Sequence, residues 1–301
     1  MIATGIGLTA LAIALAWPVP HALARAHWPH RSPVTAIVLW QAIGLAGGLS
    51  LIGAPLVYGL SPVDHHLPTA IAQLTDQILA GEPFAYLQVP HLIALFIAAA
   101  LAGRLTLSLI ISAIRTARQR KQHRDTVRLL ARDDPERPDT SVIDHTRPAA
   151  YCVPGSPPLL VITSGMRDSF GTHELDAVIA HEYAHLNYRH DLLALPFIAW
   201  NRALPWLPST RDARASVSQL VEMMADDRAR HICDTDTLAQ AISLAVTQQR
   251  DSVHGTTPHA EGTRVARLIA PTPPLPRTAQ LFVLLAALSL VTAPTAALAV
   301  L

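Results

Sequence analysis

The stretch His181–Asp191 reads HEYAHLNYRHD and contains the pattern H-E-x-x-H. On a helix, residues four apart lie one above the other, so His181 and His185 can present two imidazoles to one metal ion. Glu182 lies beside them, where its carboxylate can take a proton from a metal-bound water. The stretch therefore predicts a zinc peptidase site on a helix. The alternative is a coincidental histidine pair on a surface helix.

The third protein ligand must come from elsewhere, because a catalytic zinc ion takes three ligands and keeps a fourth position for water. The metzincin pattern would need glycine at position 188 and histidine at position 191. This chain has Tyr188 and Asp191 there, so that pattern fails. His190 falls one residue early, and we expect it to be an exposed histidine or a neighbour of a ligand.

Glu222 is the better candidate for the third ligand. Glu174 lies two turns upstream on the motif helix, too far along the axis to share the ion, and the other glutamates of this region lie in irregular segments. Asp226 follows Glu222 by one helical turn, so it can accept a hydrogen bond from the outer nitrogen of a ligand histidine. A solvated acidic helix face is the alternative for this pair. Asp227 points elsewhere and is expected to be a surface charge.

Two further parts of a peptidase site leave alternatives open. A second electrophile usually stabilises the oxyanion, and the candidates are His254, His259 and Arg264, although each is more often a surface residue. A peptide substrate can bind by adding to a sheet edge as an extra strand. We expect the strand at 159–163, just before the motif helix, to offer that edge.

Apolar stretches outside this region predict a membrane protein. Hydrophobic residues make up 50% of the chain and charged residues only 15%, against about 25% charged in a typical soluble domain. A helix crosses a bilayer with about 20 apolar residues, and residues 2–19, 35–60, 87–114 and 278–301 are long enough. Arg104 lies inside the third stretch and should face protein or water, or snorkel to the interface.

Lysine and arginine set the expected orientation, because they are enriched in cytoplasmic loops. The loop at 20–34 carries Arg25 and Arg31, the loop at 61–90 carries neither Lys nor Arg, and six basic residues follow the third span between positions 115 and 128. The zinc region is therefore predicted to be cytoplasmic, with both termini outside.

Three other interpretations of the chain are less favoured. The apolar stretch at 2–19 lacks the basic start of a signal peptide, and its apolar run is long for one, which favours a membrane anchor. The basic run follows a membrane span directly, which favours lipid headgroups over nucleic acid as its contact. Cys152 and Cys233 have no metal-ligand spacing and predict no disulfide framework.

The region between the third and fourth spans predicts an α+β domain. Residues 115–132 continue the third span as a helix, and short β-prone segments at 141–144, 149–153 and 159–163 predict a small antiparallel sheet. The motif helix is predicted from Thr172 to Asn187, and two more helices follow at 212–231 and 235–249, the last with Asp234 or Asp236 as its cap. The predicted divisions are 1–114 (three transmembrane helices), 115–277 (zinc peptidase domain) and 278–301 (fourth transmembrane helix).

In these two motifs the chain resembles the gluzincin membrane peptidases, which share its H-E-x-x-H motif followed by E-x-x-A-D at Glu222–Asp226. Two groups have this pattern: the BlaR/MecR-type antirepressor metallopeptidases, and the HtpX and CAAX prenyl protease group. Four segments and the four spans around the zinc domain are closer to the BlaR/MecR type: Ala149–Gly155, Ser164–Met166, His185–Asp191 and Arg264–Leu268. That resemblance implies a mini-gluzincin domain, one Zn²⁺ on His181, His185 and Glu222, and Glu182 as the catalytic residue.

The resemblance also implies a sensor whose activation leads to cleavage of a cytoplasmic repressor. Antibiotic sensors of this type carry a penicillin-binding domain after the last span, whereas the present sequence stops at Leu301 and has no S-x-x-K motif, so we do not expect it to sense β-lactams. The expected partners are a protein substrate, the lipid bilayer and, as an alternative to a monomer, a second copy of the chain; no direct nucleic-acid partner is expected. The competing functions are an HtpX-like quality-control protease and a non-catalytic zinc-binding scaffold.

Overall fold

The structure is a computed structural model that describes residues 2–81, 87–134, 137, 140–155, 158–249 and 258–300, without the side chains of 245–249 and 258–261. The described helices are α1 Ile2–Ala16, α2 Pro18–Arg25, α3 Pro33–Leu60, α4 Leu67–Ala80, α5 Val89–Leu130, α6 Ser164–Ser169, α7 Thr172–Asn187, α8 His190–Ala203, α9 Pro208–Ala229, α10 Thr235–Gln249, α11 Pro258–Ile269 and α12 Arg277–Val300. A short 3₁₀ helix covers Trp28–Arg31, and the strands are β1 Arg132–Asp133, β2 Thr140–Ile143, β3 Ala150–Val153 and β4 Leu159–Thr163.

The chain divides into two compact units, the first of which contains the apolar helices. It comprises Met1–Ile111, Pro196–Val217 and Leu275–Leu301. Four helical segments of the described chain are long and apolar enough to cross a membrane: Ile2–Arg25, Pro33–Leu60, Val89–Leu130 and Arg277–Val300. These correspond to the four predicted stretches, while their crossing of a bilayer and their orientation stay predictions.

Helix α3 forms the centre of the first unit and packs against α1 and α12. Leu8 of α1 lies in a buried cluster with Val57 of α3, and Leu298 of α12 packs against it. A second cluster joins Leu60, at the end of α3, to Leu67 of α4. The apolar composition of these helices therefore supplies both their mutual packing and their exposed surfaces.

Arg104, the charged residue inside the third apolar helix, lies against protein. Its Nε donates to the carbonyl oxygen of Ala203 at 2.5 Å, and its guanidinium lies 5.1 Å from the ring centroid of Trp206. Ser108, one turn later, donates to the carbonyl oxygen of Ala199. These partners belong to Pro196–Val217, a segment that the sequence boundaries place in the 115–277 domain and that the structure places in the first unit.

The second unit contains the sheet, whose strand order is β1-β2-β4-β3. β1 pairs antiparallel with β2, β2 pairs parallel with β4, and β3 pairs antiparallel with β4. The prediction of an antiparallel sheet is therefore wrong for the central pair. The prediction that 159–163 offers an edge is also wrong, because β4 is hydrogen-bonded on both sides; the edges are β1 and β3.

The helices of the second unit cover one apolar cluster that the sheet shares. Ile162 of β4, Leu175 of α7, Leu238 of α10 and Leu268 of α11 are all buried in it. Helices α7 and α10 have the predicted bounds. Asp234 caps α10, since its Oδ2 accepts from the backbone N–H groups of the residues two and three positions later. This packing fixes α7 against the helices that carry the other site residues.

Candidate metal centre

Helix α7 places the paired histidines of the motif on adjacent turns. Its buried face includes Ala177, Ala180 and Ala184, whose small side chains allow close packing, and His181 is 7% exposed on the same side. The Nε2 atoms of His181 and His185 lie 3.1 Å apart. The two imidazoles therefore converge on one point, as the i, i+4 spacing predicts.

Glu222 of α9 completes the cluster. Its Oε2 lies 3.4 Å from Nε2 of His181, and its Oε1 lies 3.6 Å from Nε2 of His185. Zinc–nitrogen bonds of about 2.0–2.1 Å in a tetrahedron place neighbouring ligand atoms about 3.4 Å apart. The three separations bracket that value, and the donor set of two imidazoles and a carboxylate is one that zinc accepts. Among the described residues, this is the group of ligand atoms that could hold a metal ion.

Asp226 lies one turn beyond Glu222 and meets the outer nitrogen of a motif histidine. Its Oδ1 lies 3.0 Å from Nδ1 of His181, and the aspartate is only 1% exposed. Because His181 Nε2 faces Glu222, its Nδ1–H can donate to this carboxylate, which fixes the tautomer. Asp227, expected to be a surface charge, is half-buried and pairs with Arg230 and Arg267.

Arg264 of α11 lies against the two carboxylates of α9. Its Nε and Nη2 each donate to an oxygen of Asp226 at 2.8 Å, and its Nη1 lies 3.1 Å from Oε2 of Glu222. Of the three oxyanion candidates, Arg264 is therefore within the site, but it is engaged with site carboxylates. His254 lies outside the described residues, as does the side chain of His259.

These contacts shift the pKa values of the metal-free cluster in opposite directions. Burial disfavours the charged form of both Glu222 and His181, but hydrogen bonds outweigh it: those with His181 and His185 for Glu222, and those with Asp226 and Glu222 for His181. The pKa of Glu222 is lowered, with Arg264 adding to the effect, and the pKa of His181 is raised to about 9. For Asp226, burial is outweighed by the hydrogen bonds from Arg264 and His181, and its pKa is lowered. The acidic side chains are thus held as carboxylates.

Glu182 differs from the other acids of the site, because its pKa is raised. Burial is the largest cause, and the backbone N–H of Cys152 partly opposes it by donating to the carboxylate. Burial, with a contribution from Glu182, raises the pKa of the Cys152 thiol to about 12. A carboxyl whose pKa lies closer to neutrality is better suited to accept and return a proton.

Cys152 belongs to β3, so the motif glutamate lies at a sheet edge. Thr163 donates to the carbonyl of Ala149, which makes this a hydrogen-bonded pair of the β3–β4 ladder. Antiparallel pairs alternate, so the backbone groups of Ala150 and Cys152 point away from β4. The edge beside Glu182 is therefore β3 and not the predicted β4, because pairing order cannot be read from local sequence patterns.

Of the two expectations for His190, the structure gives the neighbour of a motif histidine rather than the exposed residue. The structure buries it at 3% exposure and places its Nδ1 2.9 Å from Nδ1 of His185. The sequence signal was present, since the residue comes shortly after the motif helix, but the turn that brings it back toward the helix was not predicted.

Comparison with known proteins gives one match. Residues 114–204 match the model of peptidase family M48, a stretch that includes the motif helix and ends before Glu222. No curated protein and no solved structure matches the chain. M48 peptidases are zinc metallopeptidases, so the match indicates a zinc metallopeptidase, a hydrolase that would act on a protein substrate. It does not distinguish the BlaR/MecR type from other gluzincins.

Proposed function

We propose that this zinc metallopeptidase is an integral membrane endopeptidase that cuts a cytoplasmic protein. His181, His185 and Glu222 bind one Zn²⁺, and Glu182 is the general base. The observation that carries this proposal is the convergence of three ligand atoms from α7 and α9 beside a buried glutamate whose pKa is raised.

Each residue of the site has a separate role in the proposed peptide hydrolysis. Bound zinc supplies Lewis acidity, which acidifies water and polarises the scissile carbonyl. Glu182 accepts the proton of the attacking water and returns it to the leaving amine, and the Cys152 N–H holds its carboxylate in place. Asp226 orients His181, while Arg264 balances the negative charge of Glu222 and Asp226.

Substrate binding uses the free edge of β3. An extended peptide that pairs with the outward N–H and C=O groups of Ala150 would run beside Glu182. Affinity would come from main-chain hydrogen bonds, so such a site tolerates many sequences. The zinc site therefore favours an unfolded or flexible protein segment as the substrate.

The substrate that we propose is a transcriptional repressor in a signalling or resistance pathway. The support is the resemblance to antirepressor peptidases and the basic run between positions 115 and 128, which favours a cytoplasmic site by the positive-inside rule. The second candidate is quality control of membrane proteins, favoured by the presence of apolar helices and the zinc site on one chain.

Protein N-termini in cells expressing the wild type and Glu182→Gln would test this proposal. New N-termini confined to a repressor would support the first function, and a broad set from membrane proteins would support the second. Identical N-termini in both strains, with signalling unchanged, would contradict both and leave the zinc-binding scaffold.

A further inference from the structure

The chain reverses direction sharply between α7 and α8. α7 ends at Asn187, Arg189 follows with a φ of 48°, and His190 begins α8. Arg189 is the non-glycine residue with positive φ in the part of the chain that the structure describes. This left-handed conformation is unfavourable for a residue with a Cβ, so the surrounding contacts must stabilise it.

The turn delivers His190 to the outer side of a motif histidine. Nδ1 of His190 lies 2.9 Å from Nδ1 of His185, and the two rings meet edge to face with centroids 4.8 Å apart. Tyr188 also stacks on His190, with ring centroids 5.6 Å apart and planes 9° apart. His190 is therefore in contact with two rings, and its Nε2 is buried without a partner among the described residues.

Two ring nitrogens that face each other form a hydrogen bond only when one carries the hydrogen and the other accepts it. If His185 offers the lone pair of Nε2 to a metal, its proton resides on Nδ1. His190 must then accept at Nδ1 and be neutral.

We propose that His190 is a positioning residue for the zinc site: it accepts the Nδ1–H of His185 and so fixes the tautomer and ring orientation of that ligand. The inference rests on the proposed function, because it takes His185 as a zinc ligand. The two ligand histidines are then held differently, His181 by the carboxylate of Asp226 and His185 by a neutral imidazole. The Arg189 turn is the backbone feature that makes the second arrangement possible.

The test compares the zinc affinity of full-length variants in detergent or nanodiscs, by competition with a chromogenic chelator. His190→Asn keeps an acceptor oxygen near the position of Nδ1, whereas His190→Gln moves it to the position of Nε2. His190→Leu removes it. We expect the dissociation constant to change by less than about threefold for Asn and to rise about 10–100-fold for Gln and Leu. His173→Leu, at an exposed histidine of α7, should change nothing.

Thermal unfolding of the zinc-free variants separates positioning from packing. If His190→Gln loses zinc affinity while its zinc-free form is as stable as that of His190→Asn, the result supports positioning. Equal zinc affinity in all variants, or equal losses in Asn and Gln, would overturn the inference. The Asn–Gln pair carries the test even if Leu does not fold. A wild type that binds no zinc would instead refute the proposed function.

Discussion

At the scale of single residues, the site depends on one acid whose pKa differs from those of its neighbours. Glu182→Gln keeps the shape of the side chain and removes the base. We expect peptide cleavage to fall about 10²–10⁴-fold, because general base catalysis contributes that much. Bound zinc, measured by elemental analysis, should stay at the wild-type ratio. Cleavage within a few fold of the wild type would assign the base to another residue.

Asp226 gives a second prediction at this scale, because its carboxylate joins Arg264 to His181. Asp226→Asn leaves a buried guanidinium without its full partner, and breaking a buried pair costs about 3–5 kcal/mol. We expect chemical denaturation of the zinc-free protein to show a loss of that size, and zinc affinity to fall about 10–100-fold.

The double variant Asp226→Asn/Arg264→Gln is the control for this prediction. It removes both charges, so it should regain part of the stability but none of the zinc affinity. A double variant as unstable as the single one would mean that the guanidinium is not the cause of the loss.

The residues of the site could be predicted from the sequence where one helix carries them, and less well where several elements meet. The i, i+4 spacing gives the pairing of His181 and His185, and the poor placement of the other glutamates gives Glu222. The structure brings these three together, while their role as ligands stays a prediction. The contacts of Arg264 and His190 depend on how α11 and α8 return to the site, and no local pattern contains that information.

At the scale of elements, the edge strand β3 provides a substrate-binding prediction. The N–H of Ala150 points away from β4, so Ala150→Pro removes a donor from the free edge without removing a bond of the sheet. We expect KM for peptide substrates to rise about 5–10-fold, the loss of roughly one hydrogen bond, with little change in thermal stability.

Tyr151→Pro is the matched control for the edge. Its N–H points toward Val161 of β4, so proline there removes a ladder hydrogen bond and should destabilise the sheet. An Ala150→Pro enzyme with wild-type KM would show that peptides do not pair with β3.

Element types were predicted better than element pairing. Helices α7 and α10 have the predicted bounds because apolar periodicity and, for α10, the Asp234 cap are local features. The parallel pairing of β2 with β4 was not predicted, since β3 lies between them in sequence and the short strands carry no signal for order. Helix α8 was missed because Pro196 interrupts its pattern, although a proline within a helix need not end it.

At the scale of the whole molecule, the apolar helices were predicted from composition. The two compact units agree less closely with the predicted domain divisions. Hydropathy locates spans because about 20 consecutive apolar residues are a long signal. The segment Pro196–Val217 gives no such signal: α8 has 14 residues, about 21 Å of helix, too short to cross a bilayer. Its place in the first unit depends on contacts such as that between Arg104 and Ala203.

The orientation in the membrane is the last prediction, and it rests on charge. Loop 61–90 has no Lys or Arg, and six basic residues follow the third span, so the loop should face outward and the zinc site inward. Gln73 and His173 are exposed residues of the two regions. In a Cys152→Ser/Cys233→Ser background, we expect a membrane-impermeant thiol reagent to label Gln73→Cys in intact cells and His173→Cys only after permeabilisation.

A charge-reversed control connects this labelling to its cause. Removing Arg25 and Arg31 while adding two lysines to loop 61–90 weakens the asymmetry that orients the helices, so a fraction of the molecules should label with the opposite pattern. Labelling of His173→Cys in intact cells of the unmodified background would place the zinc site outside. Such a site could not reach a cytoplasmic repressor, and the substrate would have to be sought among exported or membrane proteins.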